Sequence, residues 1–158
     1  MKRIIISAMA ETNRVIGGEQ GLPWHIPEEY QHFLNHIKGN VIIMGRKSWE
    51  IFSKDLAESI ANIVISRSTE ITDAIHADSL ESALSKATSY EQDIYITGGA
   101  TIYALALENN LVDEMYLSYI PGNYEGHTYF PKFDESQWSV QSEEDRGSYK
   151  LLHYVKIS

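Results

Sequence analysis

Twice in this chain a short run of β-favouring residues reaches a glycine and passes at once into a helical pattern, and that repetition limits the folds open to it. Val41-Ile42-Ile43-Met44 leads straight into Gly45-Arg46-Lys47-Ser48-Trp49, and Ile94-Tyr95-Ile96-Thr97 into Gly98-Gly99-Ala100-Thr101. Apolar runs of this length without polar alternation predict strands buried on both faces, as in parallel sheets covered by helices. The same rhythm continues elsewhere. Strands are expected at residues 2–9, 41–44, 62–66, 74–77, 93–97, 112–120, 138–143 and 150–157, and helices at 27–37, 47–52, 80–88 and 101–107. Ser79 is placed to cap the third helix, and the last two strands are expected to pair as an antiparallel hairpin across Asp145-Arg146-Gly147. The expected class is α/β: a central, mostly parallel sheet of about eight strands with an antiparallel C-terminal hairpin, flanked by about four helices. No repeat, low-complexity tract or Pro/Gly/Ser linker divides the 158 residues, so a single domain over 1–158 is expected.

The two glycine turns also suggest a ligand. Glycine lets an anion approach the backbone, where the free N–H groups of a helix start and the helix dipole attract it. Arg46 and Lys47 add cations to the first turn. A glycine can equally end a strand merely to permit a tight turn, and either turn alone supports both readings. Two such turns in one small sheet favour a dinucleotide with its two phosphoryl groups. The third strand ends in Ser66-Arg67-Ser68. A site for NAD usually places an acid there for the ribose 2′-OH, whereas an arginine accommodates the 2′-phosphate of NADP. The fingerprint G-x-G-x-x-G is absent, and Gly17-Gly18-Glu19-Gln20-Gly21 is misspaced for it and reads as a loop. NADPH is therefore the expected cofactor, on a fold other than the ordinary Rossmann one.

Composition narrows the rest. With no cysteine, disulfides, thiolate nucleophiles and zinc-thiolate sites are excluded. A formal net charge of -9 argues against a nucleic-acid or membrane-surface binder. Met1-Lys2-Arg3-Ile4-Ile5-Ile6 looks superficially like a secretory signal, but the apolar run breaks at Ala10-Glu11-Thr12-Asn13, too early for one. No apolar run approaches the roughly 20 residues that span a bilayer. A cytoplasmic monomer acting on a small molecule is the expectation.

In the helix from Pro27, the residues Ile26, Tyr30, Phe33, Leu34 and Ile37 form an apolar stripe, and Glu29 lies beside Phe33 at its border. An acid there could enter an apolar cleft, where partial burial would raise its pKa and suit it to handling a proton. It could also be an N-terminal acid favoured by the helix dipole, which the local pattern prefers. Glu28, His32 and His36 form a second row, with a spacing that metal ligands use. That row reads as the polar face of the helix and has no further ligand cluster beside it, so no metal is expected.

Taken in order, these segments resemble dihydrofolate reductase along nearly the whole chain. The resemblance is carried by Asn13-Arg14-Val15-Ile16-Gly17, by Leu22-Pro23-Trp24-His25-Ile26-Pro27 followed by Glu29 and Phe33, and by the two glycine turns with their strands. Met115-Tyr116-Leu117-Ser118 and Glu125-Gly126-His127-Thr128-Tyr129-Phe130-Pro131 complete it. The resemblance implies that Glu29 is the only ionisable side chain at the pterin, hydrogen-bonding its 2-amino group and N3. It implies further that Glu29 promotes protonation at N5 while hydride moves from the nicotinamide C4 to the pterin C6. Trp24 would help order a water beside the carboxylate, and Ser118 stands where the family usually has a supporting threonine. Ile6, Ala8, Leu22, Tyr30, Phe33 and Phe52 would line the pterin and aminobenzoyl pocket, with Thr97 and Tyr103 between pterin and nicotinamide. Residues 17–22 match the loop that closes over the nicotinamide and excludes water. Ala8, Ile16, Gly17, Gly45, Arg46, Lys47, Ser48, Thr97, Gly98, Gly99, Ala100, Thr101 and Ile102 match the cofactor contacts, and Ser66 with Arg67 the 2′-phosphate site.

The chain also departs from the family. Members usually carry an arginine, after the Gly-Arg-x-Ser/Thr-Trp helix, that clamps the α-carboxylate of the substrate's glutamate tail. Residues 53–61 contain no arginine, and Glu58 would repel that carboxylate. Thr101 replaces a common basic residue, and His127 stands where many bacterial members have an aspartate bracing the closing loop. Two alternatives therefore stay open: an NADPH reductase of the same fold acting on a tail-less pterin or a riboflavin-pathway pyrimidine, and a non-catalytic nucleotide-binding module.

Overall fold

Residues 1–17, 21–67, 71 and 73–157 are described by a computed structural model. Gly18, Glu19 and Gln20 of the glycine-rich segment, and Ser68 beyond the third strand, lie outside the described residues. The first half of the chain forms β1 (Arg3–Ala10), β2 (Val15–Gly17), α1 (Pro27–Ile37), β3 (Val41–Gly45), α2 (Arg46–Phe52), β4 (Ala61–Ile65) and β5 (Ile75–Ala77). The second half forms α3 (Leu80–Thr88), β6 (Ile94–Ile96), α4 (Ala100–Glu108), β7 (Glu114–Ile120), β8 (Thr128–Tyr129), β9 (Trp138–Asp145) and β10 (Lys150–Lys156).

Eight of these strands make one sheet in the order β5-β4-β3-β6-β1-β7-β10-β9. The first six run parallel, and β10 is antiparallel to both its neighbours. The side chains explain why parallel pairing wins. Ile5, Ile43, Ile63 and Ile96 pack on one face with Leu84, Ala87, Ile102 and Ala106 of α3 and α4. Their chain neighbours Ile4, Ile6, Ile42, Met44, Val64 and Tyr95 pack on the other with Ile37, Phe33 and Leu34 of α1. A strand apolar at consecutive positions stays dry only if both faces are covered, and crossover helices supply both covers. Local signals set the helix ends. Pro27 occupies the first turn of α1, where its missing N–H costs nothing, and the Ser79 side chain accepts from Ser82 N at 3.1 Å to cap α3.

Two features differ from the sequence expectation. A small second sheet pairs β2 with β8, elements of three and two residues that carry no periodic signal. Gly126 is needed there, because a Cβ on it would lie 2.8 Å from Val15 Cγ1 and 3.2 Å from Gly17 O. The row Glu28, His32, His36 is also not a polar face. Glu28 is exposed, but His32 is only 7% exposed and His36 half-buried. Their rings pack against each other at 4.6 Å, and against Tyr116 and Tyr149 on the far side of the helix. The helix is covered on two sides, because the C-terminal extension of the sheet reaches past it with aromatic residues that local periodicity does not reveal.

Candidate active site

The carboxyl ends of β1, β3, β4 and β6 open into a cavity of about 860 Å³. Ligands of open α/β sheets bind at this end, because strand-to-helix turns gather there. The cavity has two halves of different chemistry.

One half is apolar and holds one acid. Ile6, Ala8, Leu22, Tyr30, Phe33, Ile51 and Phe52 line it, together with Glu29. Glu29 sits in the first turn of α1, is only 5% exposed, and accepts a hydrogen bond from Ser118 Oγ at 2.9 Å. Ser118 is itself buried on β7, where it pairs across the ladder with Ala8 of β1. Burial pushes the Glu29 carboxyl above the ordinary glutamate range, and the Ser118 hydrogen bond only partly counters it. A carboxyl shifted in this direction keeps its proton to higher pH than an exposed glutamate, which suits it to handling a proton. The dipole-favoured surface acid considered from the sequence is instead the neighbouring Glu28. It is exposed, accepts from Ser148 Oγ, and is held below the usual range by that hydrogen bond.

The other half is built from the two glycine turns. Gly45 N donates to Gly98 O at 2.9 Å, which ties the turns together. A Cβ on Gly98 would meet Ser48 Oγ and Tyr103 Oη, each at 3.4 Å, and φ there is +121°, so glycine is required. The starts of α2 and α4, at Gly45 and Gly99, receive no side-chain cap, leaving their first N–H groups to a ligand or solvent. Arg46, Lys47, Ser48, Ser66, Arg67, Gly99, Ala100, Thr101 and Ile102 line this half, with Ile16 and Gly17 at its edge. Arg46, Lys47 and Arg67 are exposed cations, and Ser66 is buried. Uncapped helix starts, glycines and three cations are the donor set that an anionic dinucleotide needs, so these residues fit NADP(H).

Thr97 and Tyr103 lie at the junction of the halves. Thr97 N donates to Ile43 O, and the buried Tyr103 hydroxyl donates to Ile6 O at 3.0 Å, which fixes the ring between β1 and the Gly98 turn. Trp24 is not among the lining residues. It is 8% exposed, packs edge-on against Tyr124 at 5.3 Å, and belongs with Ala10, Val15, Ile120 and Leu151 to a separate apolar cluster. Its indole N–H is buried with no partner among the described residues. Ser7, Met44, Glu50, Ile51 and Thr128 also line the cavity. Position signalled two of these: Met44 immediately precedes Gly45, and Ile51 adjoins Phe52. Ser7 and Thr128 carry no local signal. Among the described residues no cluster of three metal-ligating side chains occurs, and no helix is long and apolar enough to cross a membrane.

Behind α1, burial pulls the His32 imidazole down to about 4, with the His36 and Arg146 charges adding to the effect, and burial lowers His36 as well. Beyond Tyr116, whose ring stacks on His153 at 4.2 Å, the His153 imidazole meets Glu114 at 2.6 Å.

Comparison with known proteins agrees with this geometry. The family model described as dihydrofolate reductase matches residues 3–155. The chain is 34% identical to a dihydrofolate reductase of Neisseria meningitidis serogroup A, with 99% of each chain covered. It is 33% identical to that of Bacillus subtilis, over 92% of this chain and 90% of the relative. Among solved structures, dihydrofolate reductase from Enterococcus faecalis complexed with NADP(H) and RAB-propyl superposes with a TM-score of 0.87 at 25% identity, covering 99% of this chain and 97% of that one. With a family match over residues 3–155, and a cavity that sets a buried acid beside two glycine turns, the chain belongs to the dihydrofolate reductase family.

Proposed function

We propose that this protein reduces 7,8-dihydrofolate to 5,6,7,8-tetrahydrofolate, consuming one NADPH and one proton and releasing NADP⁺. The observation that carries the reading is Glu29: a buried carboxyl, braced by Ser118, in an otherwise apolar half-cavity that adjoins a cationic half built on two glycine turns. NADPH supplies the hydride, which goes to the pterin C6. Glu29 hydrogen-bonds the pterin 2-amino group and N3, which orients the ring, and its raised pKa favours protonation at N5. Ser118 holds the carboxyl in register. Ile6, Phe33 and Phe52 give the ring an apolar berth that excludes water and strengthens the Glu29 hydrogen bonds. Thr97 and Tyr103 line the junction of the two halves and would hold the pterin and the nicotinamide in contact there. Arg46, Lys47 and the helix starts at Gly45 and Gly99 take the diphosphate, and Ser66 with Arg67 the 2′-phosphate. Trp24, whose buried N–H has no partner among the described residues, suits the ordering of a water near the carboxylate. The reading treats residues 1–158 as one domain, acting as a monomer in the cytoplasm.

Loss of NADPH absorbance on adding dihydrofolate tests it. Steady turnover is expected, and Glu29→Gln should lower kcat by about 10²-fold or more, the usual scale for a positioned acid. NADPH binding without turnover would instead favour the non-catalytic nucleotide module.

A further inference from the structure

The apolar half of the cavity is closed on its outer side by a contact that joins two elements. Tyr30 of α1 lines the cavity, packing against Phe33 at 5.8 Å and Phe52 at 6.3 Å. Its hydroxyl donates to Asp55 Oδ2 at 2.6 Å, tying α1 to the short 3-10 turn Ser53–Asp55 that follows α2. The phenol thus fixes an exposed carboxylate at the rim. Among the described residues no cation forms an ion pair with it. Lys54, the preceding residue, lines a neighbouring cleft with Asn62 and is not among the residues lining this cavity. Lys38 stands 3.9 Å from Glu58, so its charge is already partnered. The cations that do line the cavity, Arg46, Lys47 and Arg67, belong to the cofactor half. The cavity wall formed by Tyr30 and Phe52 is thus backed by a tethered negative charge.

We propose that Asp55, positioned by Tyr30, is a specificity-determining residue that disfavours substrates with negative charge at their outer end and favours pterins whose outer end is neutral. This rests on the reductase reading above and specifies the substrate class for that same site. A carboxylate on the substrate tail meets Asp55 at the solvent edge, where repulsion between exposed charges is modest and screened by salt. The effect belongs in KM, because the charge lies away from the reacting atoms and acts on ground and transition states alike.

The test compares dihydrofolate, with its dianionic tail, against 6-methyl-7,8-dihydropterin, which has none, at saturating NADPH. Asp55→Asn keeps an acceptor oxygen for Tyr30 and removes the charge. It should lower the ratio of the dihydrofolate KM to the dihydropterin KM by about two- to fivefold. The wild-type protein supplies a second readout that needs no substitution: raising the salt should lower the same ratio, and less so in Asp55→Asn. A ratio unmoved by Asp55→Asn, with a salt response identical in the two proteins, would overturn the proposal while leaving the reductase reading intact. Failure of the wild-type protein to turn over either pterin would overturn both.

Discussion

Two adjacent stripes of α1, one holding Glu29 and one holding His32, are both buried and differ in chemistry. Glu29, facing the cavity, is buried with one serine hydroxyl to serve it; His32, one turn on and packed against Tyr116 and Tyr149, is nearly as buried, with its Nε2 lacking any partner among the described residues. Both groups are held toward their neutral forms by the same cause, desolvation, which raises an acid and lowers a base. The results differ. A carboxyl biased toward its neutral form on a cavity wall has a proton to manage, whereas a neutral imidazole turned away from the cavity only fills space between tyrosines. Burial alone does not make a functional group; burial facing a cavity does.

The strongest way to break this comparison is to replace each titratable group in turn. Glu29→Gln should abolish nearly all turnover while stabilising the fold at high pH. The folded-state pKa of Glu29 lies above its unfolded value, so the folded protein binds more protons across that interval and the wild type loses stability as pH rises through it. Glu29→Gln removes that loss, so its melting temperature should exceed that of wild type at pH 8 and approach it near pH 4. A variant less stable than wild type at pH 8 would show that the carboxylate is not under strain.

The His32 stripe should respond with the opposite sign. The His32 imidazole is lowered from 6.5 to about 4, so between those values the unfolded chain binds a proton that the folded one refuses. Stability is therefore complete above pH 6.5, falls as pH drops toward about 4, and levels off below. The loss should be on the order of 2 kcal/mol after allowing for screening. Urea unfolding across this range checks it, and His32→Phe should flatten the slope without removing turnover. A pH profile equally steep in the variant would move the effect to His36 or elsewhere.

Smaller changes sharpen the contrast. Ser118→Ala removes the hydrogen bond that partly counters burial, so the apparent pKa of Glu29 should rise further and stability should fall by about 1 kcal/mol. Rescue by Ser118→Thr would separate this effect from loss of packing. Smallest of all, Ser148→Ala should let the Glu28 carboxyl return toward its ordinary range with turnover unaffected, as read by a carboxyl NMR titration alongside the NADPH assay.

How much of this was legible in the sequence follows from how local each signal is. Consecutive apolar residues at 4–6, 41–44 and 94–96 demand burial on both faces, and Pro27 and Ser79 mark helix starts through their own backbone and side-chain chemistry. The glycine turns at Gly45 and Gly98 were legible for the same reason: each strand delivers its glycine directly to a helix. Glu29 was ambiguous, because its fate depends on Ser118, a strand residue 89 positions away. His32 misled, because the residues that bury it, Tyr116 and Tyr149, come from the far end of the chain. The pairing of β2 with β8 and the Tyr30–Asp55 contact were invisible for the same cause, being created by tertiary approach.

The central claim, that Glu29 manages the proton of an NADPH-dependent reduction from a desolvated site, is tested most directly by the pH dependence of dihydrofolate turnover in wild type and Glu29→Gln. The account predicts a wild-type rate that falls as pH rises through an apparent pKa clearly above 4.5, with that limb missing from the residual activity of Glu29→Gln. A wild-type limb that survives unchanged in Glu29→Gln would contradict it, because the titrating group would then lie elsewhere.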